Sequence, residues 1–184
     1  MQTKKKIEYK KISLNEFLHI VSSLLKEYNC IEDIFSYLFQ DKLLFEFISA
    51  FIQIEVIDKN SKVDEILNKL KQINLYPYSI GEPIIKIKKG KVYPLLPIAD
   101  YLRLACKNKI YLKDRKVIEK LTYGKNATLG INDILASEKL IDKGKYLIYD
   151  IDDIFICFSM IKLKNERVEI IPDLDIGWYL REGK

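Results

Sequence analysis

Apolar residues recur along this chain with two different periods, and the switches between them mark its elements. Leu14, Phe17, Leu18, Val21, Leu24, Leu25 and Tyr28 follow helical spacing and predict an amphipathic helix. Ser13 and Glu16 stand before it as a Ser-x-x-Glu capping box, in which each side chain satisfies an orphan backbone N–H. Residues 1–12 are basic and partly alternating, as a short strand or a flexible arm would be. Ile31, Ile34, Phe35 and Leu38 predict a second short helix. The stretch from Leu43 to Ile57 is apolar and β-branched, and Ile52, Ile54 and Val56 alternate with Gln53 and Glu55 as in a half-buried strand. Asn60 and Ser61 break it. Ser61 is then expected to cap a helix that carries Val63, Ile66, Leu67, Leu70 and Ile73.

After the punctuation of Pro77, Gly81 and Pro83 a hairpin is predicted. Ile85 and Ile87 face one way, Lys86 and Lys88 the other, and Lys89-Gly90-Lys91 turns the chain towards Val92 and Tyr93. Pro97, Ile98, Tyr101, Leu102 and Ala105 read as a helix with Pro in its first turn. A domain boundary is placed near Asn108, giving domains over 1–108 and 109–184 with no Gly/Ser linker between them. Ile110 and Leu112 alternate with Lys109, Tyr111 and Lys113 as a strand, and Val117, Ile118 and Leu121 form a helical turn. Gly124 and Gly130 bracket a loop, and Tyr146–Tyr149 is a strand. The dense apolar run Ile154–Ile161 is expected at the centre of a sheet. Val168, Ile170 and Ile171 make a further strand that Pro172 is expected to stop. This spacing of strands and turns predicts a small β-barrel of about 75 residues. The fold class is therefore α+β, an N-terminal α/β domain packed against a C-terminal β pseudo-barrel.

Charge adds a direction to this outline. The chain carries a net +5, yet Lys86 to Lys125 alone holds 12 Lys/Arg against 3 Asp/Glu. A concentrated positive field favours polyanions, because neutralised phosphates release their condensed counterions. Tyr93, Tyr101, Tyr111 and Tyr123 lie among these cations, where they offer stacking platforms for unpaired bases or else pack in the core. Tyr101, on an apolar helix stripe, is read as core. The alternative for the charges themselves is a solvated lysine-rich surface, and Arg103, Lys107 and Lys109 also suit the negative end of a helix dipole.

Several chemistries are missing. His19 is the one histidine, it falls beside an apolar helix face, and no nucleophile–base pair can be assembled around it. The segment from Gly124 to Gly130 lacks the Lys-Ser/Thr ending of a phosphate-binding loop. Asp150, Asp152 and Asp153 offer ligands for a hard cation, but an acidic turn between two strands is the plainer account, and Asp173 with Asp175 reads the same way. Cys30, Cys106 and Cys157 are far apart, odd in number and set in apolar runs, so buried free thiols are expected. Neither a metal nor a cofactor is expected. No apolar run reaches the roughly 18 residues of a membrane helix, and the polar start Met1–Glu8 is no secretory signal. A soluble, cytoplasmic protein is expected.

One ordered series of motifs carries a resemblance. Lys89-Gly-Lys-Val-Tyr-Pro-Leu, Ala99-Asp-Tyr-Leu102, Lys109-Ile-Tyr-Leu-Lys113, Leu121-Thr-Tyr-Gly-Lys-Asn126 and Asp175-Ile-Gly-Trp-Tyr-Leu-Arg181 follow one another, with apolar strands over Tyr146–Ile161. The C-terminal part resembles a PUA domain, a small RNA-binding pseudo-barrel. Over about residues 80–184 the series resembles the archaeal and eukaryotic family named for nuclear import protein seven. That resemblance implies an α/β N-terminal domain before the PUA domain, no catalysis, RNA binding through the PUA domain, and a role in large-subunit ribosome biogenesis and pre-rRNA processing; single-stranded U- or AU-rich RNA is the expected ligand. It also implies protein partners in that process; separately, a monomer with no membrane partner is expected. Basic residues on a late PUA strand and its following loop contact RNA in that family. Here the matching segment is Met160–Arg167, which makes Lys162, Lys164 and Arg167 the candidates, in a shorter loop with Glu166 and Glu169 nearby. Lys88 and Lys91 of the hairpin, and Lys113, Arg115 and Lys125 of the basic segment, are candidates to share the load. Two rival functions remain open: a protein-binding adaptor of an RNA-processing complex, and an accessory protein of RNA modification.

Overall fold

The capping box sets the first helix. Strand β1 (Glu8–Ile12) runs into α1 (Leu14–Glu27), and between them Ser13 N donates to Glu16 Oε2 at 2.7 Å while Glu16 N donates to Ser13 Oγ at 3.2 Å. These bonds from Ser13, with Lys10 beside them, hold the Glu16 carboxyl down at about 2. The computed structural model describes residues 8–48, 51–178 and 181; of the stretch 1–12, expected as a short strand or an arm, residues 8–12 are β1 and the rest lies outside the described residues.

The remaining elements follow in order: α2 (Glu32–Leu38), β2 (Lys42–Ile48), β3 (Ile52–Asp58), α3 (Ser61–Gln72), β4 (Glu82–Lys88), β5 (Lys91–Pro94) and α4 (Ile98–Ala105). Then come β6 (Lys109–Leu112), α5 (Arg115–Thr122), β7 (Ala127–Gly130), a 3-10 turn (Ile131–Asp133), β8 (Leu135–Ala136), β9 (Lys145–Asp150), β10 (Phe155–Lys164) and β11 (Arg167–Asp175). The chain divides into two compact units, Met1–Leu24 with Asp33–Ile98, and Leu25–Glu32 with Ala99–Lys184.

In the first unit β1 to β5 form an antiparallel meander in chain order. One face seats Phe45 and Phe47 against Leu67 of α3, with Val63 and Ile57 alongside. On the other face Leu44, Ile54, Val56 and Ile85 are buried, and Phe17, Phe35 and Phe39 make an aromatic cluster with ring centroids 4.8–6.0 Å apart. A sheet buried on two faces explains why the run from Leu43 to Ile57 lacks a clean alternation; it is two strands, β2 and β3, rather than one. It also explains Glu55, which alternation alone would have placed in solvent. Its carboxylate is buried and accepts from Ile80 N at 2.7 Å, Gly81 N at 3.1 Å, Ser79 Oγ at 2.9 Å and Gln53 Nε2 at 2.9 Å. The α3 cap is Asn60, whose side chain accepts from Lys62 N at 3.0 Å; Ser61 is already helical. Asn60 wins because its extended backbone aims the short amide oxygen at the free N–H groups.

In the second unit the sheet order is β7-β11-β10-β9-β6-β8, so β10 is central, as its dense apolar run predicts. All pairs are antiparallel except β6 with β9. The sheet curls around Val117 and Leu121 of α5, and Ile110, Ile148, Ile161, Val168 and Ile170 complete that core. The architecture is α+β, an N-terminal α/β unit followed by a PUA-like β unit. Two sequence expectations change here. The glycine-bracketed loop shrinks to Gly124–Asn126, because Ala127–Gly130 pairs with β11 as an edge strand. Pro172 does not stop β11; it sits opposite Ser159 next to a register shift at Phe158/Ser159, where the ladder asks for no N–H.

The free-thiol expectation fails for two of the three cysteines. Cys30 and Cys106 form a disulfide within the second unit, flanked by backbone bonds from Ile31 N to Ala105 O and from Lys107 N to Asn29 O. Their 76-residue separation hides this pairing from any reading of spacing. Cys157 is a free, buried thiol whose pKa burial pushes up to about 12.

Candidate nucleic-acid interface

Strand parity builds the site. In the β10–β11 hairpin Lys162 stands opposite Glu169, Leu163 opposite Val168 and Lys164 opposite Arg167. Leu163 and Val168 face the core with Leu129 of β7. Since side chains alternate along a strand, Lys162, Lys164, Arg167 and Glu169 all project from the other face. Strand β7 extends each row, with Thr128 beside Glu169 and Gly130 beside Arg167. On the far side, the turn before β9 continues along β10. Lys143 N donates to Ile161 O at 2.9 Å, and Asp142 Oδ1 accepts from Leu163 N at 2.8 Å. The result is an open groove of about 370 Å³ lined by Thr128, Asp142, Lys143, Lys162, Leu163, Lys164, Arg167 and Glu169.

Four cations and two carboxylates line this groove. Both carboxylates already accept hydrogen bonds from uncharged groups: Asp142 from the Leu163 backbone, and Glu169 from Asn126 Nδ2 at 3.1 Å. None of Lys143, Lys162, Lys164 and Arg167 has an ion-pair partner among the described residues. Lys162, Lys164 and Arg167 are exposed. A concave surface with unneutralised ammonium and guanidinium groups can hold successive phosphates, and the forked guanidinium of Arg167 suits a bidentate phosphate contact. Thr128 adds a hydroxyl that can donate or accept.

The sequence-predicted residues fall into three places. Lys162, Lys164 and Arg167 meet in the groove. Lys125 precedes Asn126, the residue that binds Glu169, and so stands at the groove's β7 end. Lys113 and Arg115 flank Asp114, which caps α5 by accepting from Lys116 N at 2.8 Å; an eight-residue helix, about 12 Å of rise, separates them from Lys125. Lys88 and Lys91 belong to the other unit and lie opposite each other across the β4–β5 turn. Lys143 is the groove residue that sequence reasoning missed. It lies about twenty residues before its neighbours, in a turn with φ +59°, and no local pattern marks it.

Other candidate groups have structural partners. Tyr111 stacks on Tyr149 with centroids 5.6 Å apart, which makes it cross-strand packing. Burial raises the pKa of both phenols. Tyr123 and Tyr93 remain exposed. Asp150 Oδ1 accepts from Asp152 N and Ile154 N within its turn, and Asp153 pairs with Arg103. Asp173 pairs with Lys145. Asp175, 3% exposed, accepts from Arg181 Nη2 at 2.7 Å while Arg181 Nη1 donates to Thr122 O at 2.8 Å. A Cβ at Gly177 would lie 2.1 Å from Thr122 O, so glycine is required there for the C-terminal segment to reach the end of α5. The two motif segments that carry the PUA resemblance are thus in direct contact.

The second unit is thus a curled sheet around an enclosed helix, with a basic groove along its β10–β11 hairpin. Comparison with a solved structure gives the fold class. The chain is similar to the structure of a conserved PUA domain protein from Thermoplasma acidophilum, with a TM-score of 0.51 and 12% identity over 90% of this chain and 93% of that one. No family model matches the chain, and no curated relative matches it.

Proposed function

We propose that this protein binds single-stranded, U- or AU-rich RNA through the β10–β11 groove and acts, without catalysis of its own, in large-subunit ribosome biogenesis and pre-rRNA processing. The observation that carries the reading is the convergence of Lys143, Lys162, Lys164 and Arg167 on one open groove with no ion-pair partner among the described residues. The similarity to a PUA domain protein and the ordered motif series support the choice of RNA over other polyanions. Lysines and arginine would fix phosphates, while neighbouring polar and aromatic groups meet unpaired bases. The protein would work in the cytoplasm as a monomer, with pre-rRNA and ribosome-biogenesis proteins as partners. Among the described residues no helix is long and apolar enough to cross a membrane.

Binding of a labelled single-stranded uridine-rich RNA at several salt concentrations tests this reading. Four neutralised phosphates give a slope of log affinity against log salt near about −2.8, at roughly −0.7 per phosphate. Absence of binding near physiological salt would sink the proposal. A second reading, a protein-binding adaptor, draws on the exposed apolar residues Ile66, Ile73, Leu75 and Tyr78 on and after α3. It is favoured if RNA binding is absent and a protein partner is retained through these residues.

A further inference from the structure

The β4–β5 hairpin of the first unit has no role in the groove, yet it carries a dense run of charge: Lys86, Lys88, Lys89 and Lys91 with no acidic residue between Lys86 and Pro94. Its turn residues Lys89 and Gly90 have φ +51° and +73°, the conformation of a two-residue type I′ turn, which fixes the register tightly. That register sets Lys88 opposite Lys91 and Lys86 opposite Tyr93. By strand parity these four side chains share one face. Gln53 of β3 continues the Lys86–Tyr93 row, and Lys86 Nζ sits 4.3 Å from the centroid of the Phe51 ring. Tyr93 is 44% exposed.

Two features of this face point to an anion. Like charges placed directly across a strand pair destabilise it, and no carboxylate offsets the Lys88–Lys91 pair among the described residues. An exposed tyrosine lies one row away, at the distance of neighbouring side chains on a sheet face. Cations that follow a phosphate backbone, next to a ring that accepts a stacked base, are the two components of sequence-tolerant single-strand binding. We propose that the β4–β5 face is a second contact surface for single-stranded nucleic acid, with Lys88 and Lys91 on phosphates and Tyr93 stacking a base. This goes beyond the groove reading and shares only its ligand class.

The test uses the full chain with Lys88→Glu plus Lys91→Glu, with Tyr93→Ala, and with Lys162→Ala plus Lys164→Ala plus Arg167→Ala. Each is titrated with a labelled oligouridylate of about twenty nucleotides and with heparin, after melting temperatures have been checked; Lys88→Gln plus Lys91→Gln replaces the reversal if that does not fold. The hairpin pair should weaken RNA binding about tenfold and make the salt slope shallower by about 1.4, two contacts at 0.7 each. Tyr93→Ala should weaken RNA binding several-fold with the slope and heparin affinity unchanged. Photocrosslinking from 5-bromouridine should label the tryptic peptide 92–103, which contains Tyr93. Wild-type affinity and slope in the hairpin variant, with loss only in the groove variant, would overturn this proposal and leave the groove reading standing. Loss only in the hairpin variant would do the reverse. Heparin binding that falls with Lys88 and Lys91 while Tyr93→Ala changes nothing would reduce the face to a general polyanion patch and overturn the nucleic-acid assignment. No RNA binding by any form overturns both.

Discussion

Two hairpins in this molecule are built alike and differ in what surrounds them. In each, a two-residue turn is flanked by a cross-strand pair of cations: Lys88 and Lys91 around Lys89-Gly90, Lys164 and Arg167 around Asn165-Glu166. In each, one left-handed residue starts the turn, Lys89 or Asn165. The β10–β11 hairpin, however, is flanked by β7 on one side and by the 141–144 turn on the other, so its cations line a groove. The β4–β5 hairpin ends its sheet, where Lys88 and Lys91 are exposed and Lys86 sits against the Phe51 ring. Local charge ranks the two in the wrong order for concavity. Residues 126–184 are net acidic, whereas Lys86–Lys125 carries the excess. A binding groove therefore depends on which charges the register brings together, and a charge count along the chain does not report that.

The frames of the two hairpins differ as well, and this gives the largest expected effect. The second unit holds the Cys30–Cys106 disulfide, which closes a long loop containing Asp33–Ile98 of the first unit; reduction should destabilise the chain by about 2–4 kcal/mol. Chemical denaturation with and without reductant measures this, and a Cys30→Ser plus Cys106→Ser variant should show no response to reductant. Next come the tight glycines. Gly81→Ala places a Cβ 2.2 Å from Val56 O in the first unit, and Gly177→Ala places one 2.1 Å from Thr122 O in the second. Each should cost about 1–3 kcal/mol by overpacking, read as separate shifts in the unit concerned.

Lys143→Ala should weaken uridine-rich RNA binding about fivefold, roughly 1 kcal/mol, while Lys113→Ala leaves it unchanged. The two substitutions remove the same charge, so the contrast isolates groove membership. Glu169→Gln should tighten RNA binding about twofold by removing a like charge from the phosphate path. The smallest effect is on α1. Its Glu16 carboxyl sits near about 2 when folded, below the ordinary carboxylate value of 4.5, so its contribution is present above pH 4.5 and is lost as pH falls towards 2. The difference in melting temperature between the native chain and Glu16→Gln should therefore vanish across that acid range.

Periodic features were legible in the sequence because they depend on nearest neighbours. The Ser13–Glu16 box, the α1 stripe, the β4–β5 turn and the central place of β10 all follow from residues a few positions apart. Features fixed by distant pairing were not. Glu55 is buried because Ser79, Ile80 and Gly81 return to it, Cys30 meets Cys106 across 76 residues, and Lys143 reaches the groove through backbone bonds to β10. Lys162, Lys164 and Arg167 were legible through a motif resemblance and strand parity, and Lys125 only as one charge among many.

The most direct measurement compares the salt dependence of uridine-rich RNA binding by the native chain and by Lys162→Ala plus Lys164→Ala plus Arg167→Ala. The groove account predicts a variant that melts at the native temperature, binds on the order of a hundredfold more weakly at low salt, and has a slope shallower by about 2.1, three contacts at roughly 0.7 each. A variant that keeps native affinity and slope would contradict the account.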